Sequence, residues 1–299
     1  MVLCDTRLLL NMAKDRGVCA FNIYNFESLK AIVDVAEELL IPVIIQVSEG
    51  GLEYGGGLSL VNLVKTHLKG TKAPYALHLD HGRDIDVIRS AIKWGFTSIM
   101  VDGSHLPFEE NLKFTGMVVD IAHRAGIPVE AELGTIGGTE DKITGDMHLV
   151  DPEEAEIFVS KTGVDFLAPA VGTSHGAFKF KGKQEIRFDL IEEVSKRTGV
   201  PLVLHGASSL PGWLLDEAKK SGVNVEGMNG VPYKVLKEAV RRGIRKLNAD
   251  TDLRIAFITG LRNSLRENPG VIDPRKHLNR GMEWIKRIVR ERMEILWNL

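Results

Sequence analysis

The chain has 299 residues, of which 44% are hydrophobic and 26% are charged, and its formal net charge is -2. This composition is that of an ordinary globular protein, and the balanced charge argues against binding of nucleic acid or acidic membranes, which needs a basic excess. The two cysteines, Cys4 and Cys19, are too few for a disulfide framework or a cysteine-rich zinc module. A bound metal would therefore need histidine and carboxylate ligands.

Residues 3–15 are predicted to form an amphipathic helix. Charged side chains interrupt this apolar segment at Asp5, Arg7, Lys14 and Asp15, whereas a signal peptide needs an uninterrupted apolar core. No run in the sequence reaches the roughly 18 apolar residues of a membrane-spanning helix. The sequence therefore predicts a cytoplasmic protein that has no membrane partner.

Short apolar runs then alternate with longer segments of helical periodicity. A strand is predicted over 18–23, followed by a helix from Phe26 with Asn25 as its N-cap. The second strand, 42–47, leads into a glycine-rich turn, EGGLEYGGG, and a helix near 58–69. The remaining predicted strands cover 74–80, 97–102, 128–133, 164–171, 200–206 and 243–250, and further helices are predicted over 84–94 and 108–125.

Residues 134–150 show neither helical nor strand periodicity, and an irregular stretch of this length is typical of a mobile functional loop. The loop ends at Asp151, where an N-cap, a first-turn proline and an acid three residues on predict the start of a helix. A second irregular polar stretch follows the sixth strand and extends to about residue 187.

Eight apolar strands separated by helices predict a (β/α)8 TIM barrel, here a single domain over 1–299. A doubly wound open sheet is the alternative, but no G-x-G-x-x-G follows the first strand. The tail over about 274–297 has helical spacing of apolar residues. We expect it to be an additional C-terminal helix that covers either the barrel or a neighbouring subunit, and it favours a homodimer or homotetramer.

Polar residues that can bind ligands stand at the ends of strands three to eight, whereas the starts of the same strands carry few such residues. These strand ends are Asp80-His81, Asp102, Glu132, His175, His205, and Asn248 with Asp250. The stability of a barrel does not require this distribution. Because active sites of such barrels lie where strands run into the following loops, it predicts a functional site at that end.

Three of these residues are histidines: His81, His175 and His205. Neutral imidazoles that converge on one point suit Zn²⁺, whose catalytic sites usually have three protein ligands and one open position. The alternative is that each histidine is a separate hydrogen-bonded residue at the rim of the barrel.

Three stretches on the last strands are rich in Gly, Ser, Thr and Asn: GTSHGAFK (172–179), HGASS (205–209) and NADTD (248–252). Backbone N–H and hydroxyl groups of such residues bind phosphate, and the late strands of barrels often hold it. Each stretch alone could be ordinary turn composition. Together they favour a phosphorylated substrate.

From about residue 18 to 295 the chain resembles the class II (metal-dependent) fructose-bisphosphate aldolases. The resemblance rests on AFNIYNFE, SEG with YGGG, LHLDHG, MVDGSHLPFEEN, VEAELGTIGGTED, VGTSHGAFK, LHGAS and NADTDLR, in that order. The related tagatose-bisphosphate aldolases share most of these, but TSHGAFK and NADTDLR look more like the fructose enzyme. Two places depart from the pattern, Ser209-Leu210 and VNVEGMNGVP (223–232), and they bear on substrate preference.

The resemblance implies a lyase that uses Zn²⁺ held by His81, His175 and His205, and it leaves room for a second divalent ion and a monovalent cation. Glu132 and Asp102 match alternate or second-metal positions of the family. Hydrogen bonding to the histidines is an equally open role for these two carboxylates.

The same resemblance makes Asp80 the group that exchanges a proton with the C4 hydroxyl, and Glu140 the acid that moves the C3 proton. Asp80 could instead cap the helix from 84, and Glu140 could be a solvated loop acid. Adjacent strand residues face opposite ways, so Gly82 is expected to let the chain bend and bring Asp80 and His81 to one site.

Contacts with phosphate and the triose are implied for one set of residues near strands six to eight, and the other end of the bisphosphate is matched by Ser48 and Arg254. Lys179 could equally be a surface charge. The set near the late strands is Gly176, Lys179, Gly206, Ala207, Ser208, Asn248, Ala249, Asp250 and Thr251.

The implied activity is zinc-dependent, reversible cleavage of fructose 1,6-bisphosphate to dihydroxyacetone phosphate and glyceraldehyde 3-phosphate, as in glycolysis and gluconeogenesis. Three alternatives stay open. The substrate could be tagatose 1,6-bisphosphate. The chemistry could be that of a Schiff-base lyase, for which Lys246 is the candidate. The barrel could also bind a phosphosugar without catalysis, although a pure binder needs no base.

Overall fold

The protein is described by a computed structural model that covers residues 3–140, 143–145, 148–175 and 186–298. For residues 137–140, 143–145 and 175 the description is limited to the backbone.

The strands of the described residues form a closed barrel and a small additional sheet. They are β1 (Val18–Asn22), β2 (Val43–Ser48), β3 (Tyr75–Gly82), β4 (Ser98–Val101), β5 (Val129–Leu133), β6 (Gly137–Glu140), β7 (Ile143–Gly145), β8 (Phe166–Pro169), β9 (Ser174–His175), β10 (Leu202–Leu204) and β11 (Ile244–Ala249). Eight of these described strands are parallel and close in the order β1-β11-β10-β8-β5-β4-β3-β2. The predicted (β/α)8 barrel is confirmed, and the open-sheet alternative is wrong.

The helices cover the outside and one end of this barrel. They are α1 (Thr6–Ala13), α2 (Phe26–Leu39), α3 (Glu49–Gly55), α4 (Leu58–His67), α5 (Ile85–Trp94), α6 (Phe108–Arg124), α7 (Pro152–Thr162), α8 (Phe188–Thr198), α9 (Gly212–Lys220), α10 (Tyr233–Arg242), α11 (Thr251–Glu267) and α12 (Pro274–Trp297). Asn25 caps α2 as predicted, in a capping box with Ser28, and Asp151 caps α7.

Two segments have more regular structure than their sequences indicate. The glycine-rich segment after β2 forms α3, because the Ser48 hydroxyl accepts a hydrogen bond from the Gly51 N–H at 3.2 Å and caps the helix. Within 134–150, β6 and β7 pair as an antiparallel hairpin, and β6 also pairs with β9. Glycine and threonine dominate this hairpin, so its strands lack the apolar alternation that would have revealed them.

The amino-terminal end of the barrel is filled by apolar side chains and closed by α1. Leu9, Leu10 and Ala13 of this helix are buried against the inward-facing residues of the strands. The strand residues in this cluster are Val18, Ala20, Ile44, Ala76, Phe166, Ala168 and Val203. This layer leaves the carboxyl end of the barrel as the place where polar side chains collect.

The C-terminal helix α12 lies on the barrel and packs against α11, α2 and β1. Its Arg292 is fully buried, and its guanidinium donates to the backbone carbonyls of Ala207 at 3.0 Å and Asn248 at 3.3 Å. The helix is therefore attached to the chain segments that follow β10 and end β11.

Candidate active site

Asp80 lies near the carboxyl end of β3 and is almost fully buried. One carboxylate oxygen accepts from the Asn22 amide at 2.9 Å, and the other accepts from the Asn248 amide at 3.1 Å. The helix that follows is capped by Asp84, whose side chain accepts from the Asp86 N–H. The alternative interpretation of Asp80 as a helix cap is therefore wrong, and its carboxylate faces the site.

The bend that brings Asp80 and His81 to the same site occurs at His81 and not at Gly82. His81 has a φ of 50°, the left-handed region that non-glycine residues adopt at a cost of about 1–3 kcal/mol. The register of β3 with β4 shifts between Leu79 and Gly82 at this point. Gly82 is needed for a different reason, because a Cβ there would lie 2.7 Å from the Met100 carbonyl oxygen.

His81 and His205 face each other, and each ring is held by a carboxylate on its far nitrogen. His81 Nδ1 lies 2.8 Å from Asp102 Oδ2, and His205 Nε2 lies 2.9 Å from Glu130 Oε1. The remaining nitrogens, His81 Nε2 and His205 Nδ1, are 3.0 Å apart. The two carboxylates thus direct both of these nitrogens toward one point.

Both carboxylates are held in their charged forms. Burial opposes ionisation of Asp102, but the hydrogen bond with His81 and the charge of Arg83 hold its pKa well below the usual range. Burial likewise opposes ionisation of Glu130, but Lys246 and the hydrogen bond with His205 hold its pKa below the usual range. Burial lowers the pKa of His205 and so favours the neutral imidazole, the form that binds metals.

The buried donor atoms fit a divalent cation. Asp80, His81 and His205 each offer one ligand atom within 4.8 Å of the others, and so do His81, Asp102 and Glu132. Imidazole nitrogens with carboxylate oxygens are the ligand set of catalytic zinc and related metals. The buried Oδ1 of Asn248 also has no hydrogen-bond partner within the described residues, as expected of a group that contacts a ligand.

The other predicted metal ligands are placed less completely. The backbone of His175 lies in β9, where it is the register partner of Gly138, and its side chain lies outside the described residues. Asp102 is hydrogen-bonded to His81, which was the alternative to direct ligation, and it also accepts from the Ser104 hydroxyl at 2.7 Å. Glu132 is buried beside them. Metal ligation by Asp102 and Glu132 stays a prediction.

The predicted triose and phosphate residues after β10 and at the end of β11 come together. A Cβ at Gly206 would overlap the backbone of Ser174, so only glycine fits where these two chain segments meet. The Ser208 hydroxyl accepts from the Asp250 N–H at 3.1 Å. Asp250 precedes α11, and Thr251 is its first residue, so this helix directs its N-terminus to the same region. Ala207 and Ala249 are buried there.

Three predicted residues lie wholly or partly outside the described residues. Gly176 and Lys179 lie outside the described residues. Glu140 ends β6, where its backbone pairs with Ile143 in the hairpin, and its side chain is likewise outside the description.

Ser48 and Arg254 line one cavity of about 490 Å³ beside the site. Ser48 is the register partner of Asp80 in the barrel. The Arg254 guanidinium donates to the Tyr24 hydroxyl at 2.6 Å and pairs with Asp250 at 2.7 Å. Burial raises the pKa of Asp250 to about 6 despite that pair. The predicted contacts for the two ends of the substrate are thus joined through Arg254 and Asp250.

Several residues that hold the site were not predicted from the sequence. Asn22, Glu130 and Arg83 bind the predicted side chains directly, and Arg292 holds the backbone of two of them. A signal was present for Glu130, because it precedes Glu132 by two positions on the same strand and so faces the same side. A glutamate inside an apolar strand is unusual enough to be noticed.

Lys246 precedes Asn248 by two positions on β11 and is fully buried. Its ammonium lies 2.8 Å from Glu130 Oε2. A protonated lysine in an ion pair is a poor nucleophile. Its geometry therefore argues against the Schiff-base alternative.

The two segments that depart from the family pattern lie against each other. The Ser209 hydroxyl donates to the Val231 carbonyl at 2.7 Å, and the Val231 N–H donates to the Ser208 carbonyl at 2.9 Å. A Cβ at Gly230 would overlap the backbone of Leu210. The two departures therefore form one structural unit that supports the loop containing Ser208.

No helix among the described residues is long and apolar enough to cross a membrane. The family model "Fructose-bisphosphate aldolase class-II" matches residues 5–298. A fructose-bisphosphate aldolase of Helicobacter pylori (strain ATCC 700392 / 26695) is 46% identical over 99% of this chain and 98% of its own length. One of Thermus caldophilus is 43% identical over 95% and 93%.

Among solved structures, the YdjI aldolase of Escherichia coli K12 superposes with a TM-score of 0.80 at 30% sequence identity, and the match covers 98% of this chain and 97% of that one. The barrel, the site at its carboxyl end and these similarities agree. The chain belongs to the class-II fructose-bisphosphate aldolase family, whose members are lyases.

Proposed function

We propose that this chain cleaves fructose 1,6-bisphosphate reversibly to dihydroxyacetone phosphate and glyceraldehyde 3-phosphate, with zinc as its metal. The observation that carries the proposal is the convergence of His81 Nε2 and His205 Nδ1, 3.0 Å apart, beside the buried carboxylate of Asp80. Relatives at 43% and 46% identity bear the name fructose-bisphosphate aldolase.

His81 and His205, together with His175, would hold the cation, and three histidines with one open position suit zinc. Such a cation would supply Lewis-acid chemistry, stabilising negative charge on the ketone half of the substrate. Asp102 and Glu132 would orient the ligands or form an alternate position for the metal. The proposal includes a second divalent ion or a monovalent cation as additional occupants of this site.

Asp80 would exchange a proton with the C4 hydroxyl that becomes the aldehyde. The amides of Asn22 and Asn248 hold both of its oxygens, so the carboxylate has a fixed direction before substrate binds. A base in a fixed position within hydrogen-bond reach typically contributes about 10²–10⁴-fold in rate. Glu140 would move the C3 proton of the ketone half from the hairpin of β6 and β7.

The two phosphates would bind to two different sets of residues. Ser48 and Arg254 would take one, in their shared cavity. The segments 206–208 and 248–251, with Gly176 and Lys179, would take the other and the triose. Backbone N–H groups and the N-terminus of α11 favour an anion in that position.

A coupled cleavage assay with fructose and tagatose 1,6-bisphosphates, with and without a chelator, tests this function. We expect faster cleavage of the fructose epimer, loss of activity with chelator and recovery on addition of zinc. Faster cleavage of the tagatose epimer would indicate that tagatose 1,6-bisphosphate is the substrate. Activity that survives chelator, together with a borohydride-trapped adduct on Lys246, would support the Schiff-base lyase. Binding of both sugars without cleavage would indicate a non-catalytic barrel.

We also propose a cytoplasmic, glycolytic homodimer or homotetramer. Exposed apolar side chains support an association: Ile258 and Leu265 of α11 are 40% and 50% exposed, and Tyr54 is 76% exposed. Light scattering coupled to size exclusion measures the assembly directly, and a monomer at micromolar concentration would contradict this part.

A further inference from the structure

We propose that Glu130 and Lys246 form a buried positioning pair that fixes the tautomer and direction of His205 before the metal binds. The pair lies below the site, and neither residue is among the proposed metal ligands or substrate contacts. This inference rests on the proposed metal-dependent function and names the residues that prepare one of its ligands.

The hydrogen bonds of Glu130 determine which nitrogen of His205 carries the proton. Oε1 of Glu130 lies 2.9 Å from His205 Nε2, and Oε2 lies 2.8 Å from Lys246 Nζ. An ionised oxygen only accepts, so His205 Nε2 must be the protonated nitrogen. Nδ1 then carries the lone pair, and it is Nδ1 that faces His81 Nε2 at 3.0 Å.

The opposite tautomer would place an unprotonated nitrogen against an ionised oxygen. Lys246 prevents the one change that would permit it, protonation of Glu130, because its ammonium lies 2.8 Å from the second carboxylate oxygen, and a cation at that distance favours the ionised form. Lys246 therefore acts on His205 through Glu130.

A chain of buried polar contacts anchors this pair from below. Lys246 Nζ is 3.2 Å from His78 Nε2, His78 Nδ1 is 2.5 Å from Ser98 Oγ, and Ser98 Oγ is 2.7 Å from Thr6 Oγ1. Burial and the charge of Lys246 lower the pKa of His78 to about 3, so this histidine is neutral. The pair thus has one negative and one positive charge in a fixed place, connected to α1.

His81 has a parallel arrangement, which supports the interpretation. Its Nδ1 is held by Asp102, and Asp102 is held in turn by Arg83 at 2.6 Å. Both metal-facing histidines therefore have a carboxylate behind them and a cation behind the carboxylate. Stability alone does not explain this repetition, since a buried ion pair can often be replaced by apolar residues without loss.

The test compares Glu130→Gln, Lys246→Met and the double variant with wild type. A matched control is Glu37→Gln, which removes a hydrogen-bonded carboxylate at the opposite end of the barrel. Three quantities are measured: zinc affinity by chelator competition, the protonated nitrogen of His205 by ¹⁵N NMR of the metal-free protein, and the stability of that protein to urea.

We expect Glu130→Gln to weaken zinc binding by about 10–100-fold, as for other residues that orient metal ligands. The glutamine amide can donate to His205 Nε2, so the proton should move to Nδ1. The double variant removes both charges, so it should recover stability to urea. It should not recover zinc affinity, because without Lys246 the glutamine amide can either donate to His205 Nε2 or accept from it and so no longer fixes the tautomer. Glu37→Gln should leave affinity and tautomer unchanged.

Recovery of zinc affinity together with stability in the double variant would show that the pair is only structural and would overturn the proposal. So would a metal-free wild type in which His205 is protonated on Nδ1. If Glu130→Gln does not fold, zinc affinity and the His205 tautomer are compared between the double variant and wild type. Because the NMR readout needs neither metal nor sugar, a wild type that fails to cleave fructose 1,6-bisphosphate leaves this inference standing.

Discussion

The two ends of the barrel are equally buried but use burial in opposite ways. At the amino-terminal end, α1 closes the barrel with apolar residues such as Leu9, which is 0% exposed. At the carboxyl end, Asp80 and His81 are each only 1% exposed. Burial of apolar groups stabilises a protein, whereas burial of polar groups costs free energy unless each group has a partner.

The two ends of the barrel therefore have different roles. The apolar end supplies stability, and the polar end holds groups in fixed positions that water would otherwise solvate. The left-handed backbone at His81 and the buried pair of Glu130 and Lys246 lie at the polar end or just below it. Each of these features adds strain or desolvation, so we expect substitutions at the two ends to change different properties of the protein.

The largest effect should come from His205→Ala at the polar end. Loss of one imidazole removes a metal donor and leaves Oε1 of Glu130 without its hydrogen-bond partner, so we expect neither stoichiometric zinc nor cleavage. Metal analysis of the purified variant and the coupled assay measure these two outcomes. Normal turnover with bound zinc would remove His205 from the ligand set.

Asp80→Ala should separate metal binding from chemistry. We expect it to keep zinc but to slow cleavage by on the order of 10²-fold or more, because a positioned acid–base group is lost. Zinc content and kcat are measured on the same preparation. Loss of zinc would instead indicate that Asp80 is a metal ligand, a role that its position beside His81 and His205 also permits. An unchanged cleavage rate would contradict both roles.

Features that depend on residues close together in the sequence could be predicted well. Eight alternating apolar runs were enough for the barrel, and polar residues at strand ends were enough to place His81 and His205 in one site. The capping residues Asn25 and Asp151 were predictable because a cap depends on a few neighbouring positions.

Features that depend on strand order could not be predicted. Glu130 and Lys246 lie on β5 and β11, more than 100 positions apart in the chain, and they meet only because the barrel closes. The bend after Asp80 was assigned to Gly82 because glycine bends most easily. His81 instead adopts the left-handed conformation, with its ring hydrogen-bonded to Asp102 after β4, and such a contact between strands leaves no trace in local sequence.

Leu9→Ala tests the apolar end. Removing this fully buried side chain should lower the free energy of unfolding by about 2–5 kcal/mol, through lost burial and a cavity. Zinc content and kcat of the folded fraction should not change, because Leu9 packs within the apolar cluster at the amino-terminal end of the barrel. Urea unfolding measures the stability, and the coupled assay measures kcat. A fall in kcat as large as that of Asp80→Ala would contradict the separate roles of the two ends.

The smallest effect should come from Glu37→Gln. Glu37 of α2 accepts from the N–H groups of Lys72 and Ala73 and from the Tyr75 hydroxyl, where β3 begins. Burial opposes its ionisation, but these hydrogen bonds lower its pKa. Its stabilisation is therefore present above the ordinary glutamate pKa of about 4.3 and is lost as the pH falls below that value.

Glu37→Gln should therefore lose on the order of 1 kcal/mol at neutral pH and lose less further stability than wild type on acidification. Urea unfolding at a series of pH values measures this difference. Because Tyr75 begins the strand that ends in Asp80 and His81, this variant also tests whether the two ends are independent. If zinc affinity fell with stability, β3 would transmit strain along its length, and the metal site would depend on packing at the far end of the barrel.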